Sequence, residues 1–289
     1  MEKWKKIETF LKKINLKEIK NQNYFLYGYE EGYEKVPSEN LGYLPFYNSS
    51  EMEIKKSFLP DDSNLKPNTK RKATKYITIH NTGMAHPSAT AKGLDEYIHT
   101  TTRVASWHFS IDDKETYQHL DLDEVGWHAG DGSHTWEEKY FNKTYNKECI
   151  GGGNQNSVGI ESCVYQGVDF NMVLRRLAKL TASLLIKYQL TIKDVKQHYD
   201  FSGKNCPQVI REANRWEEFL FLVELELFAQ KELEDVIFQW QSLSPEIMDD
   251  EGKVFYHPGK ETTIAYQVEV EYNKTKKTYS FTSQLLAKK

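Results

Sequence analysis

His80 closes the apolar run KYITIH and is followed by Asn81 and Thr82. Glu161 lies inside a second apolar run, SVGIESCVY. His198 and Cys206 are eight residues apart in QHYDFSGKNCP, with Lys204 between them. Taken singly, these residues are ordinary. A histidine at a strand end is commonly a satisfied polar residue, a cysteine is commonly a small core residue, and a lysine is commonly a surface charge. Glu161 is less easily explained, because burying a carboxylate is costly unless a cation or metal sits beside it. The combination suggests chemistry. Neutral imidazole and thiolate are the ligands zinc prefers, and three protein ligands leave a fourth position open for water or substrate. Two imidazoles and one thiolate leave a site of net positive charge, which can lower the pKa of bound water toward about 7. A nearby carboxylate can then take the water proton, and a cation can stabilise an oxyanion. The sequence offers one candidate for each role.

Strands and helices must hold these residues together. KYITIH and SVGIESCVY read as buried strands and DVKQH as a short one. WHFSID and ETYQHL read as a hairpin around Asp113 and Lys114, and residues 126–129 as a further short strand. Residues 90–101 read as a helix. Val173, Leu177, Leu180, Leu184 and Leu185 mark a core helix over 171–189. Pro207 suits the first turn of an apolar helix that runs to about residue 229. Residues 131–156 form a long polar loop ending in Gly151, Gly152 and Gly153. Strands and helices in mixed order predict an α/β domain over residues 74–230, with a central mixed sheet flanked by helices.

The flanking regions have a different texture. Residues 1–73 begin with an amphipathic helix over 2–14, with Trp4, Ile7, Leu11 and Ile14 on one stripe. Aromatic residues follow, including Tyr24, Phe25, Tyr29, Tyr33, Phe46 and Tyr47, broken by glycine and proline. This stretch reads either as an arm packing against the main domain or as a surface for stacking sugar rings. Residues 231–289 alternate Tyr, Val, Ile and Thr in four strand-like runs, VIFQWQ, KVFYH, TIAYQVEVEY and KTYSFTSQL, and predict a small all-β module. Its Trp240, Ser242, Pro245, Gly252, Lys253 and Val254 resemble the pattern of short bacterial immunoglobulin-like domains. Either a spacer role or a wall-binding role fits it.

Composition narrows the function classes. At 39% apolar and 28% charged residues, the chain is of the folded rather than the disordered kind. A net charge of −4 gives no electrostatic reason to expect nucleic acid or an anionic membrane as partner. No apolar run is long enough for a membrane helix, so no membrane insertion is expected. The first twenty residues carry seven lysines and do not read as a signal peptide. The expectation is synthesis in a cytoplasm followed by action elsewhere. Cys149, Cys163 and Cys206 are too few and odd in number for a disulfide framework.

YITIHNTG (76–83), SWHFSIDD (106–113), GWHAGDG (126–132), SVGIES (157–162) and HYDFSGKNCP (198–207) together resemble the N-acetylmuramoyl-L-alanine amidases of the phage-lysin type, related in fold to peptidoglycan recognition proteins. The motifs come in family order and cover about half the chain. The resemblance implies a Zn2+ cofactor bound by His80, His198 and Cys206, with Glu161 as the catalytic carboxylate and Lys204 near the oxyanion. It places His128 along the substrate groove and His108 beside the site, where it reads as structural or supporting. Some relatives carry a catalytic Tyr where this chain has Trp107, which shifts weight to Glu161. The implied partner is peptidoglycan, and the implied reaction is hydrolysis of the amide between N-acetylmuramic acid and L-alanine by an endolysin or autolysin. Two rivals are a non-catalytic peptidoglycan-binding protein, which the presence of Cys206 disfavours, and a peptidase using Cys206 as nucleophile with His198. The remaining histidines, His86, His99, His119, His134 and His257, read as surface or loop residues.

Overall fold

The computed structural model describes residues 2–27, 35–130 and 152–288. Tyr29, Tyr33, His134, Cys149 and the long loop before Gly152 lie outside the described residues. In chain order the elements are α1 (Glu2–Ile14), β1 (Glu18–Ile19), β2 (Tyr24–Tyr27), β3 (Lys35–Ser38), β4 (Lys55–Lys56), β5 (Tyr76–Asn81), α2 (Ala91–Thr100), β6 (Phe109–Ile111) and β7 (Thr116–Gln118). Then come α3 (Gly153–Asn156), β8 (Ser157–Ser162), α4 (Phe170–Lys187), β9 (Val195–Gln197), α5 (Tyr199–Ser202), α6 (Gln208–Glu212), α7 (Trp216–Glu232), β10 (Ile237–Ser242), β11 (Thr262–Tyr272) and β12 (Thr275–Leu285). Two compact units emerge. One comprises Met1–Tyr24, Pro37–Glu51 and Phe221–Lys289, the other Phe25–Val36 and Met52–Leu220.

The second unit holds a six-stranded sheet in the order β4-β7-β6-β8-β5-β9. It is mixed: β5 pairs in parallel with both β8 and β9, β6 pairs in parallel with β8, and β6 and β7 are antiparallel. All six residues of β5 are buried, as expected for a strand covered on both faces. Helices flank the sheet: α2 contacts β6 and β7, α4 contacts β5 and β6, and α6 contacts β5. The β6–β7 turn is held by Asp112, whose Oδ1 accepts from the Lys114 and Glu115 N–H groups at 2.8 and 2.7 Å. α4 starts with Asp169 accepting from Met172 N–H at 3.1 Å. It buries Val173, Leu177, Leu180, Leu184 and Leu185.

Two local expectations are corrected here. Residues 126–129 form no strand. Their amides instead go to a side chain, with Asn154 Oδ1 accepting from His128 N–H at 2.8 Å and Ala129 N–H at 2.7 Å. The apolar helix after Pro207 is two helices, α6 and α7. Asn214, with φ of 54°, ends the first, because a left-handed residue cannot continue a helix. The buried Arg215 then reaches across to Asn171 Oδ1 at 2.7 Å and to the Glu218 carboxylate.

The first unit is a single four-stranded sheet in the order β1-β12-β11-β10. β11 and β12 form a long hairpin whose turn residues, Asn273 and Lys274, both have positive φ, at 49° and 60°. That is the twist-compatible geometry of a two-residue hairpin. The C-terminal strands are therefore present, but they draw on the N-terminus for an edge strand and for a core. Ile7, Phe10, Leu11 and Ile14 of α1 are buried with Phe46, Tyr47, Phe238, Tyr266, Val268 and Val270. Phe46 and Trp240 stack with ring centroids 4.2 Å apart, so Phe46 serves packing rather than a sugar-stacking surface, whereas Phe25 is half exposed. KVFYH forms only isolated bridges, from Lys253 to Tyr43 and from Val254 to Met248. Among the described residues there is no second sheet facing the first, as an immunoglobulin-like sandwich requires. The boundaries expected at 73/74 and 230/231 differ from the observed division, because the 1–73 stretch contributes to both units and α7 crosses from one to the other.

Phe10 is fully buried at the centre of this core and touches Tyr47, Phe228 and Phe238. Phe10→Ala is expected to cost about 3–5 kcal/mol and to make β10–β12 protease-sensitive. Limited proteolysis of the full chain with mass mapping checks this. An independently folded C-terminal module would be indifferent to the substitution.

Candidate active site

The parallel register of β5 with β8 sets His80 opposite Glu161 and Asn81 opposite Ser162. Side chains alternate faces along a strand, so His80 and Glu161 share one face and Asn81 and Ser162 share the other. β9 flanks β5 on its far side, and the chain leaves it at His198, whose N–H donates to the Ile79 carbonyl at 3.3 Å. The site thus gathers at the carboxyl ends of three parallel strands, where open α/β sheets bind their ligands.

Cys206 is delivered by the return of the next loop. α5 stops at Gly203, with φ of 73°, and Tyr199 N–H donates to the Cys206 carbonyl at 3.0 Å. Pro207 follows through a cis bond. Asn81 secures the loop from the opposite sheet face. Its Oδ1 accepts from Val209 N–H at 2.9 Å, its Nδ2 donates to Ser162 Oγ at 2.7 Å, and Ser162 Oγ donates to the His80 carbonyl at 2.6 Å.

His80, His198 and Cys206 are buried, and their ligand atoms all lie within 4.8 Å of one another. Nδ1 of His80 is 3.1 Å from Nδ1 of His198 and 3.8 Å from Cys206 Sγ. Ligands on a tetrahedral ion with bonds of about 2.1 Å to nitrogen and about 2.3 Å to sulfur sit about 3.3–3.6 Å apart, so the donor set fits a metal of the zinc type. Glu161 Oε1 is 3.8 Å from His80 Nδ1. Its Oε2 is buried with no hydrogen-bond partner among the described residues, an arrangement that a cation or a water would complete.

The electrostatics fit the same picture. Burial, then the neighbouring imidazoles and Lys204, hold His80 and His198 well below the usual histidine range, so both rings are neutral and able to donate a lone pair. Burial, reinforced by Glu161, pushes the Cys206 thiol up to about 12. Without a cation the thiol keeps its proton, and metal binding releases it. Burial raises Glu161 to about 7, against the pull of Lys204 and Arg103. That range suits a group that both takes and returns a proton near neutrality.

Lys204 is half-buried and close enough for its charge to act on His80, His198 and Glu161. His128, expected along the substrate groove, and its neighbours His108 and Trp107 are all buried. His128 is buried behind His80, its Nδ1 3.0 Å from His80 Nε2. His108 is fully buried, accepting from Gly159 N–H at 3.1 Å and facing the Glu124 carbonyl at 3.0 Å. Trp107 is buried and donates to Ser110 Oγ at 2.8 Å. All three are packed by protein, His128 directly against His80. Cys163 is a buried free thiol raised by burial, outside the donor group. Sequence reasoning missed Asn81 and Ser162 as anchors and Arg103 as a second nearby cation. It also missed Gly159, where a Cβ would lie 2.7 Å from His128 Nδ1. The pairing Asn81–Ser162 was readable once β5 and β8 were aligned, whereas nothing around Arg103 marks it.

The fold and the donor set define an α/β protein with three side chains able to hold a metal at the carboxyl ends of parallel strands. Residues 70–209 match the profile of the N-acetylmuramoyl-L-alanine amidase family. The chain is 34% identical to the N-acetylmuramoyl-L-alanine amidase CwlH of Bacillus subtilis (strain 168) over 167 residues, which are 58% of this chain and 59% of that relative. It is 33% identical to XlyA, an amidase of the same name and organism, over 58% of this chain and 50% of that one. Among solved structures, a mutant endolysin from Bacillus subtilis matches with TM-score 0.50 and 32% identity, covering 60% of this chain and 99% of that one. The catalytic domain of XlyA matches with TM-score 0.50, 31% identity and the same coverage. The chain belongs to the N-acetylmuramoyl-L-alanine amidase family, and it spans 50–59% of the length of these two full-length relatives.

Because folding raises Glu161, the metal-free folded state holds that proton more tightly than the unfolded chain. Its ionisation therefore destabilises the metal-free fold, not at all below the ordinary value of 4.5 and increasingly up to about pH 7. Metal-free Glu161→Gln is expected to match the parent near pH 4 and exceed it at pH 8 by roughly 3 kcal/mol at most. Chemical denaturation at both pH values checks this, and an equal difference at the two would contradict it.

Proposed function

We propose that this chain hydrolyses the amide bond between N-acetylmuramic acid and L-alanine in bacterial peptidoglycan, with zinc held by His80, His198 and Cys206. The convergence of these three buried donors beside a carboxylate with one unpartnered oxygen carries the reading. Membership of the amidase family supports the substrate class. The catalytic part is the unit containing Met52–Leu220, which holds every proposed site residue and the family match. Action on the cell wall follows from that substrate. Among the described residues, no helix is long and apolar enough to cross a membrane.

When bound, the ion supplies a Lewis acid that polarises the scissile carbonyl and acidifies water. Glu161 takes the proton of the attacking water on its carboxylate and returns one to the leaving amine of L-alanine, so the amide's C–N bond breaks with the proton balance closed. The charge of Lys204 stabilises the oxyanion as the tetrahedral carbon forms. His128 fixes the ring of His80 through Nε2, which leaves Nδ1 free to ligate. Asn81 holds the loop that carries Cys206. The rival thiolate mechanism is disfavoured, because a thiol raised to about 12 is a poor source of nucleophile without a metal.

Purified peptidoglycan treated with the protein should yield new L-alanine amino termini, and a zinc chelator should abolish their release. Glu161→Gln should retain zinc and lower kcat by about 10²–10⁴-fold, whereas Cys206→Ser should lose zinc. Zinc-loaded protein that binds walls but releases nothing would replace the enzyme reading with the binding one. Chelator-resistant, alkylation-sensitive release would favour the cysteine nucleophile.

A further inference from the structure

A second group of metal-binding side chains lies outside the reaction proposed above. Asp95, His99 and His119 bring one ligand atom each within 4.8 Å of one another. Asp95 and His99 are four residues apart on α2, so they share a helix face. His119 directly follows β7. Asp95 Oδ1 lies 3.6 Å from His99 Nε2 and 3.4 Å from His119 Nδ1. Ser57, directly after β4, lies alongside, its Oγ 3.1 Å and its carbonyl oxygen 3.3 Å from His99 Nε2.

The contacts of an ordinary hydrogen-bonded trio are incomplete. His119 is fully buried, and neither its Nδ1 nor Asp95 Oδ1 has a hydrogen-bond partner among the described residues. Their 3.4 Å separation exceeds the usual N–H···O range of about 2.7–3.2 Å. The other ring nitrogen, Nε2, is 2.9 Å from Ser110 Oγ, which also accepts from Trp107 Nε1–H. Ser110 Oγ can accept from Nε2–H as well as from Trp107, and in that tautomer the Nδ1 lone pair of His119 faces a carboxylate oxygen in a buried space; in the other tautomer Nδ1–H points at Asp95 across 3.4 Å. In the Nε2–H tautomer two acceptors face each other, which is costly, and a cation between them removes the conflict. Burial also pushes His119 below the usual imidazole range, so the ring is in the neutral form that ligates metals. The Nε2–Ser110 contact is of the kind that fixes the tautomer of a ligating imidazole.

The geometry points to a second divalent-metal site, in which Asp95, His99 and His119 hold an ion of the zinc class, with Ser57 or water in the fourth position. Ligands on such an ion sit about 3.3 Å apart in tetrahedral geometry, close to both separations from Asp95. Two imidazoles and one carboxylate suit zinc and its first-row neighbours. His99 and Asp95 retain 30% and 18% exposure, which gives an ion a way in. The bound ion ties α2 to the β4–β7 edge of the sheet, so its role is structural.

The test is independent of the amidase reading. The full chain is loaded with zinc, freed of excess, and its ions counted; cobalt(II) loading is followed through the thiolate-to-cobalt charge-transfer absorption, which reports the Cys206 centre alone. The wild type should hold two ions per chain. His99→Gln and Asp95→Asn, both at partly exposed positions, should lose one ion and keep the thiolate absorption. Cys206→Ser should lose that absorption and keep an ion. A wild type with no ion, or with one ion carrying the thiolate signature, overturns the second site, as does an unchanged count in both variants. A single ion without thiolate absorption that disappears in His99→Gln upholds it and removes the metal from the Cys206 centre instead.

Discussion

The candidate site depends on one constraint, the parallel register of β5 against β8. A slip of one residue would send His80 and Glu161 to opposite faces of the sheet and would part Asn81 from Ser162. The alternation that places the two chemical groups side by side also places the two anchoring groups side by side behind them. Asn81 then reaches the N-terminal amides of α6, so the strand that presents one proposed ligand also fixes the loop that presents another. Gly159, opposite Thr78 in this pairing, leaves the space that the ring of His128 fills. A side chain there would displace the imidazole that orients His80.

Burial then determines the protonation of every group at the site. It lowers the histidines and raises the thiol and the carboxylate, so each group is driven to its neutral form. For the imidazoles that is already the ligating state. For Cys206 it is not, and the thiol ionises readily only when positive charge arrives, whereas Glu161 is poised near neutrality. Lys204 and Arg103 supply part of that charge, which is why Glu161 comes to rest near neutrality rather than higher. The affinity for a cation proposed for this site and the readiness of Glu161 to exchange a proton thus share one origin, burial.

Much of this was legible in the sequence, because buried polar residues in apolar runs are conspicuous. His80 at the end of YITIH and Glu161 inside VGIESC announce themselves against their neighbours, and the α/β sheet follows from the strand and helix periodicities around them. Residues that act through packing were harder to read. His128 sits in the glycine-containing GWHAGDG, and Trp107 and His108 open the short run WHFSID, yet tertiary contacts bury all three. His119 was obscured in the same way: it follows a three-residue strand and reads as a loop residue, and only the docking of α2 brings Asp95 and His99 to it. Pairings between distant segments leave no local trace in either partner.

The same reasoning explains why the chain's ends resisted division by texture. β10–β12 look self-sufficient, since their alternation is regular and their hairpin turn is well formed. One face of that sheet carries Phe238, Trp240, Tyr266, Val268 and Val270 in cross-strand register, and a single sheet cannot cover its own apolar face. The cover comes from α1, some 230 residues earlier in the chain, and the edge from β1, which pairs in parallel with the last strand at Glu18–Gln284 and Ile19–Leu285. A parallel partner cannot come from the adjoining hairpin, because parallel strands need a long connection. Here that connection runs through the unit that holds the candidate site. The two units therefore interleave along the chain, and the first draws its sheet, its edge strand and its core from segments more than 200 residues apart.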